Sequence, residues 1–134
     1  LLASIPLLII PFILYNLGLA GLFGGSGANP WAQTLFQLTM MSGGTWSMTL
    51  ADLMVLIGLF FLFVEIIKST RTSNASVIDH LLSTFVFVAF LVEFLLVPGA
   101  ATSLFFVLTM IALVDVLAGF SVSIRSAGRD VNFS

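Results

Sequence analysis

The sequence predicts an all-α fold, an integral membrane four-helix bundle with both termini on the cytoplasmic side. Three observations carry that expectation. The chain of 134 residues is 60% hydrophobic and 7% charged, which leaves too few polar residues to cover a water-soluble domain of this size. Its apolar residues fall in long runs, and about 20 such residues at 1.5 Å each match a hydrocarbon core of roughly 30 Å. All four basic residues, Lys68, Arg71, Arg125 and Arg129, stand between or after those runs. Lys and Arg in short flanking loops mark the cytoplasmic face.

The first expected span covers 1–23. It carries no charge and is too long for the apolar core of a signal peptide, which predicts a retained helix. Pro6 and Pro11 each remove a backbone donor, so its start should be kinked or ragged. A glycine-rich break, Gly24-Gly25-Ser26-Gly27, follows. Asn29-Pro30 then reads as a helix N-cap with proline at the first helical position. Trp31, Leu35, Leu38 and Met41 share one helical face, and Gln33, Thr34 and Gln37 share the other. A helix of about 12 residues cannot span a bilayer. The expectation for 30–41 is therefore a short uncharged amphipathic helix at the outer interface, with Trp31 and Trp46 as interfacial anchors.

Ser42-Gly43-Gly44-Thr45 turns the chain back into the second span, 49–68. Thr49 and Asp52 have the spacing of a capping box at its start. The polar stretch 69–76 makes the inner hairpin. Ser76 and Asp79 repeat the capping pattern before the third span, 77–97. Pro98-Gly99 makes a tight outer turn, so the third span and the fourth, 101–124, are antiparallel neighbours. Arg125 and Arg129 close the fourth span, where positive charge suits the helix dipole.

Ionisable residues inside a membrane are costly and mark the first places to look for function. Counting the helical rise from the outer ends places Asp52 and Glu93 in an outer polar layer and Glu65, Asp79, His80 and Asp115 in an inner one. Asp115 shares a face with Ala112 and Gly119, and small neighbours of that kind direct it into the bundle. The structural reading of the others is simple. Glu65 pairs with Lys68 three residues on, and Asp52 and Asp79 cap their helices. A carboxylate beside His80 would add a group able to move protons near neutral pH. Glu93 has no basic residue on its side of the membrane. It is expected to bond to Asn29, a glutamine or backbone amides, or to act as a protonated or cation-binding carboxyl.

Several function classes are excluded. Without cysteine there are no disulfides, thiolate metal sites or cysteine nucleophiles. The single histidine and the carboxylates lack metal-ligand spacing, so no metal site is expected. No stripe of basic residues exists to engage nucleic acid. Neither a nucleophile elbow nor a phosphate loop is present, and nothing in the sequence identifies a cofactor. The remaining expectation is a non-enzymatic accessory or scaffold subunit, surrounded by membrane lipids, that forms a homo-oligomer or docks on a larger membrane complex. The alternative is a small proton-coupled transporter or channel using Asp115, His80 and Glu65. An enzyme acting on lipids or quinones through Asp79, His80 and Arg71 ranks third.

Several strings point to a family. They are Gly43-Gly44-Thr45-Trp46, the stretch Val77-Ile78-Asp79-His80 through Thr84, the stretch Val92-Glu93-Phe94 through Ser103, and Ala112-Leu113-Val114-Asp115-Val116. Over about Gly43 to Asp130 the chain resembles a group of small four-span inner-membrane proteins of Gram-negative bacteria that has no assigned activity. The resemblance implies a bacterial inner membrane and carries no mechanism. The chain does not resemble small multidrug transporters of similar length, whose first span carries a glutamate.

Overall fold

A computed structural model describes residues 5–23, 29–70 and 74–133, the side chains of 74–76 and 123–133 excepted. Four helices and one β-hairpin follow in the order α1 (Ile9–Leu19), β1 (Thr34–Thr39), β2 (Thr45–Thr49), α2 (Leu50–Lys68), α3 (Asn74–Leu96) and α4 (Ser103–Phe133). Among the described residues, three helical stretches are long and apolar enough to cross a membrane: Leu50–Lys68, Val77–Leu96 and Ser103–Val122. The chain is thus mostly helical with a membrane protein's character, but it is not all-α.

α4 is the central helix. Of the residues in the apolar stretch of each long helix, 39% are buried in α4 against 22% in α3 and 17% in α2. Its buried positions Leu104, Phe105, Leu108, Thr109, Ile111, Ala112 and Asp115 recur at helical spacing, one stripe facing the other helices. Gly58 of α2 lies against that stripe. A Cβ there would meet Ile111 at 3.1 Å and Leu108 at 3.2 Å, so glycine sets the α2–α4 approach. Aromatic rings join the remaining helices, with Phe12 edge-on to Phe90 (5.0 Å) and Phe105 against both Tyr15 (4.6 Å) and Phe90 (5.3 Å).

α1 is shorter than the span expected over 1–23. Its 11 helical residues begin at Ile9, where Ile9 and Ile10 donate to the carbonyls of Pro6 and Leu7. Pro11 sits in the first turn, where its missing N–H costs nothing. α4 runs the other way, its backbone continuing past the expected end at 124 to Phe133. The glycine break 24–27, Arg71 and the side chains of Ser76, Arg125 and Arg129 lie outside the described residues.

The amphipathic helix expected over 30–41 is replaced by the hairpin. The start signal is real: the Asn29 side chain accepts the Trp31 N–H at 3.1 Å and Pro30 opens a helical turn. That turn is a single 3₁₀ turn, Pro30–Ala32, and the chain then extends. The same residues that repeat every three or four positions also alternate, with Phe36, Leu38 and Met40 against Gln37 and Thr39. β-branched threonines and a Gly-Gly turn decide for the strand period. Gly43, at φ +91°, adopts the left-handed conformation that closes the turn, with Gly43 N–H bonded to the Met40 carbonyl and Met40 N–H to the Gly44 carbonyl. β1 and β2 are antiparallel, pairing Phe36 with Met48, Gln37 with Ser47, Leu38 with Trp46 and Thr39 with Thr45. A register shift between Thr34 and Phe36 leaves Leu35 as the extra residue.

Trp31 is also a correction. It is 4% exposed and stacked on Tyr15 at 4.8 Å with Phe23 edge-on, a core residue rather than an interfacial anchor. Gly18 makes the room, since a Cβ there would overlap the Trp31 indole. Trp46, on the hairpin, is 41% exposed.

Candidate functional site

The bundle has a polar layer near each end. At the end where α2 finishes, Lys68 is the node. Its ammonium donates to the Ile5 carbonyl at 2.6 Å, to Glu65 Oε1 at 3.0 Å and to Asp79 Oδ1 at 3.3 Å. One side chain thus ties the segment leading into α1, its own helix and α3. Glu65 Oε1 also accepts the Leu7 N–H at 2.7 Å, so the backbone entering α1 is gripped from both sides.

The residues reach these positions through ordinary helical geometry. Glu65 and Lys68, three apart on α2, share a face. The connection from Lys68 to Asn74 is short enough to bring Asp79, in the second turn of α3, back against Lys68. Asp79 is not a helix cap, because α3 already begins at Asn74. It is 3% exposed, and Glu65 is 2%. Both carboxyls are paired to the Lys68 ammonium.

Asp115 lies beside this node on α4, 5% exposed. The Ser83 hydroxyl of α3 hydrogen-bonds to it, and Glu65, Asp79 and Lys68 are near enough to act on its charge. Gly119, one turn further along, lets His80 approach α4, where a Cβ would meet the imidazole at 2.8 Å. The ring of His80 lies 6.3 Å from Phe120. Asp115, Glu65, Asp79 and His80 therefore do gather at one end of the bundle. The sequence pattern pointed to each of them, but not to Lys68 as their centre or to Ser83. The backbone partners Ile5 and Leu7 left no sequence signal, since any residue offers a carbonyl and an N–H.

The layer at the hairpin end is built differently. Asp52 is used locally in a complete capping box: Thr49 Oγ1 accepts the Asp52 N–H at 3.2 Å and Asp52 Oδ2 accepts the Thr49 N–H at 3.1 Å. The deeper group centres on Tyr15, which is fully buried. Its hydroxyl donates to the Gly99 carbonyl at 3.0 Å and lies 2.8 Å from Thr102 Oγ1. Thr102 in turn accepts the Phe105 N–H at 3.1 Å and so caps α4. Sequence reasoning passed over Tyr15, although a lone tyrosine beside Asn16 in an apolar run needs a partner for its hydroxyl. Glu93 finds Asn16 rather than Asn29, and its Oε2 is buried with no hydrogen-bond partner among the described residues. A shallow groove of about 330 Å³ opens beside this layer, lined by Phe94, Ala101, Thr102, Ser103 and Phe106.

Chemically, the Lys68 layer offers three carboxyls, one ammonium and an adjacent imidazole. Among the described residues, no group of three or more His, Asp or Glu side chains gathers as a metal-ligand set. No family model, no curated protein and no solved structure matches this chain.

Proposed function

We propose that the chain is a non-enzymatic accessory or scaffold subunit of the bacterial inner membrane, with four legs in the bilayer and both termini cytoplasmic. The observation that carries this reading is the Lys68 node. Its donors and acceptors are spent on holding α1, α2 and α3 together, with Asp115 and Ser83 joining α4 to α3. Intramembrane charge used in this way fixes a bundle and leaves little for turnover. The sparse burial of α2 and α3 supports an assembly role, because most of their surface is left for lipid or another chain. α1 supports the fourth leg despite its length. Leu7 meets Glu65 at one end, and Leu19 meets Gly99 at the turn between α3 and α4. The orientation follows from the basic residues, all on one side by the positive-inside rule.

Native mass spectrometry of the protein extracted gently from its own membrane tests the assembly claim. Larger subunits at fixed stoichiometry, or a defined homo-oligomer, are the expected result. A monomer carrying only lipid would end the scaffold reading.

A second reading, proton-coupled transport, draws on one specific observation: three buried carboxyls face one ammonium among the described residues. Such an excess gives the layer capacity to take up and release protons. This reading expects Asp115→Asn to keep the fold and abolish proton flux in reconstituted vesicles. Absence of flux from the wild type removes it.

A further inference from the structure

The hairpin divides its residues cleanly. Because paired residues share a face and alternate along each strand, Phe36, Leu38, Trp46 and Met48 lie on one side, and Gln37, Thr39, Thr45 and Ser47 on the other. The aromatic pair Phe36 and Trp46 meets edge-on at 5.7 Å. Only Met48, at the root, is buried. Phe36, Leu38 and Trp46 are 46%, 50% and 41% exposed, and Met41 at the tip is fully exposed. The first charged residue in the whole sequence is Asp52, so neither face of the ribbon carries charge.

From this geometry we propose that the apolar face of the hairpin lies on the outer leaflet at the boundary between headgroups and acyl chains, with Trp46, Phe36 and Leu38 as the inserted side chains. The inference rests on the reading that α2 crosses a membrane. The occupant of the face follows from where the ribbon is attached. β2 ends at Thr49 and α2 begins at Leu50, whose N–H bonds to the Gln33 carbonyl at 2.9 Å. The root of the ribbon is therefore held at the point where a spanning helix enters the bilayer, and six strand residues reach only about 20 Å from it. Depth is limited by the backbone. A two-stranded sheet leaves both outer edges unpaired, and such edges need water or headgroups, which keeps the ribbon out of the hydrocarbon centre. An uncharged ribbon with aromatic residues on one face and hydroxyl and amide groups on the other fits that boundary.

The chain's two tryptophans supply the test, because Trp31 is core and Trp46 is on the hairpin. The full-length protein is reconstituted in phosphatidylcholine vesicles with bromine at shallow or deep acyl positions. Trp46 emission is obtained as the difference between the wild type and Trp46→Phe, with Trp31→Phe as a second source if that variant folds. The expected result is a blue-shifted Trp46 that loses most of its emission to shallow bromines and little to aqueous iodide. Trp31 should lose little to either. Trp46 quenched by iodide and not by bromolipid would place the hairpin in water and overturn the proposal. Protection from both quenchers would overturn it in favour of a protein partner such as a second copy. Flotation of the same vesicles after alkaline washing separates the premises, since a protein that washes off does not span the membrane at all.

Discussion

At one end of the bundle a single ammonium joins three segments, and at the other a single phenol hydroxyl does comparable work. Lys68 bonds to Ile5, Glu65 and Asp79, while Tyr15 bonds to Gly99 and Thr102. The contrast follows from where the sequence spends its cations. Among the described residues, the carboxyls paired by charge, Glu65 and Asp79, are at the Lys68 end, while at the other end Asp52 is spent on its helix cap and Glu93 has no ion pair. The hairpin end is accordingly held by hydroxyls, rings and close glycine contacts. One layer should respond strongly to loss of charge and the other to loss of shape.

The largest effect is expected at Lys68. Replacing it with methionine keeps the volume but strands Glu65 and Asp79 without their cation. Removing one member of a buried ionic group costs about 3–5 kcal/mol. Reversible unfolding in mixed detergent micelles measures it. Adding Glu65→Gln and Asp79→Asn to the same chain should recover most of the loss, because the stranded charges go with their partner. A triple variant as unstable as Lys68→Met alone would show that Lys68 acts through packing and not through charge.

At the hairpin end, Gly18→Ala should cost about 1–3 kcal/mol, the range for overpacking a filled site. The added methyl overlaps the Trp31 indole, which is pinned between Tyr15 and Phe23 and has nowhere to move. Near-ultraviolet circular dichroism should change with it, since the stacked Tyr15–Trp31 pair is disturbed. Tyr15→Phe comes next at about 1–2 kcal/mol, since the two neutral hydrogen bonds of the hydroxyl are lost together. It keeps the ring contacts with Phe105 and Trp31 and deletes only the hydroxyl, so the same unfolding assay separates shape from bonding within one layer.

The two layers were not equally legible in the sequence. Glu65 and Lys68 could be paired from their spacing, and Asp115 could be turned inward from Ala112 and Gly119 on the same face. Thr49 and Asp52 form the box their spacing foretold. These readings depend on one helix at a time. Asp79 failed as a helix cap because α3 begins at Asn74, which puts Asp79 in the second turn, where it pairs with Lys68 of a different helix. The hairpin was missed because residues 34–40 satisfy a helical and an alternating period equally, and seven residues are too few to separate them. The site of Trp31 was missed for the same reason, since a residue assigned to an interfacial helix is not expected to reach Tyr15.

The smallest expected effect, at Glu93, belongs to the sharpest comparison. Glu65→Gln and Glu93→Gln make the same chemical change in the two layers. At Glu65 the amide can still accept the Leu7 N–H through its oxygen, but the charge-assisted bond from Lys68 is lost, a loss of about 1.5–3 kcal/mol. At Glu93 no ion pair exists among the described residues, and one oxygen already lacks a hydrogen-bond donor. A glutamine there keeps the shape and removes a carboxyl that has no cationic partner among the described residues, so stability should stay within about 0.5 kcal/mol or rise slightly. Unfolding of both variants under one set of conditions gives the comparison directly. Equal losses at the two sites would mean that Glu93 holds an ionic partner of its own, and the division between a charged layer and a neutral one would fail.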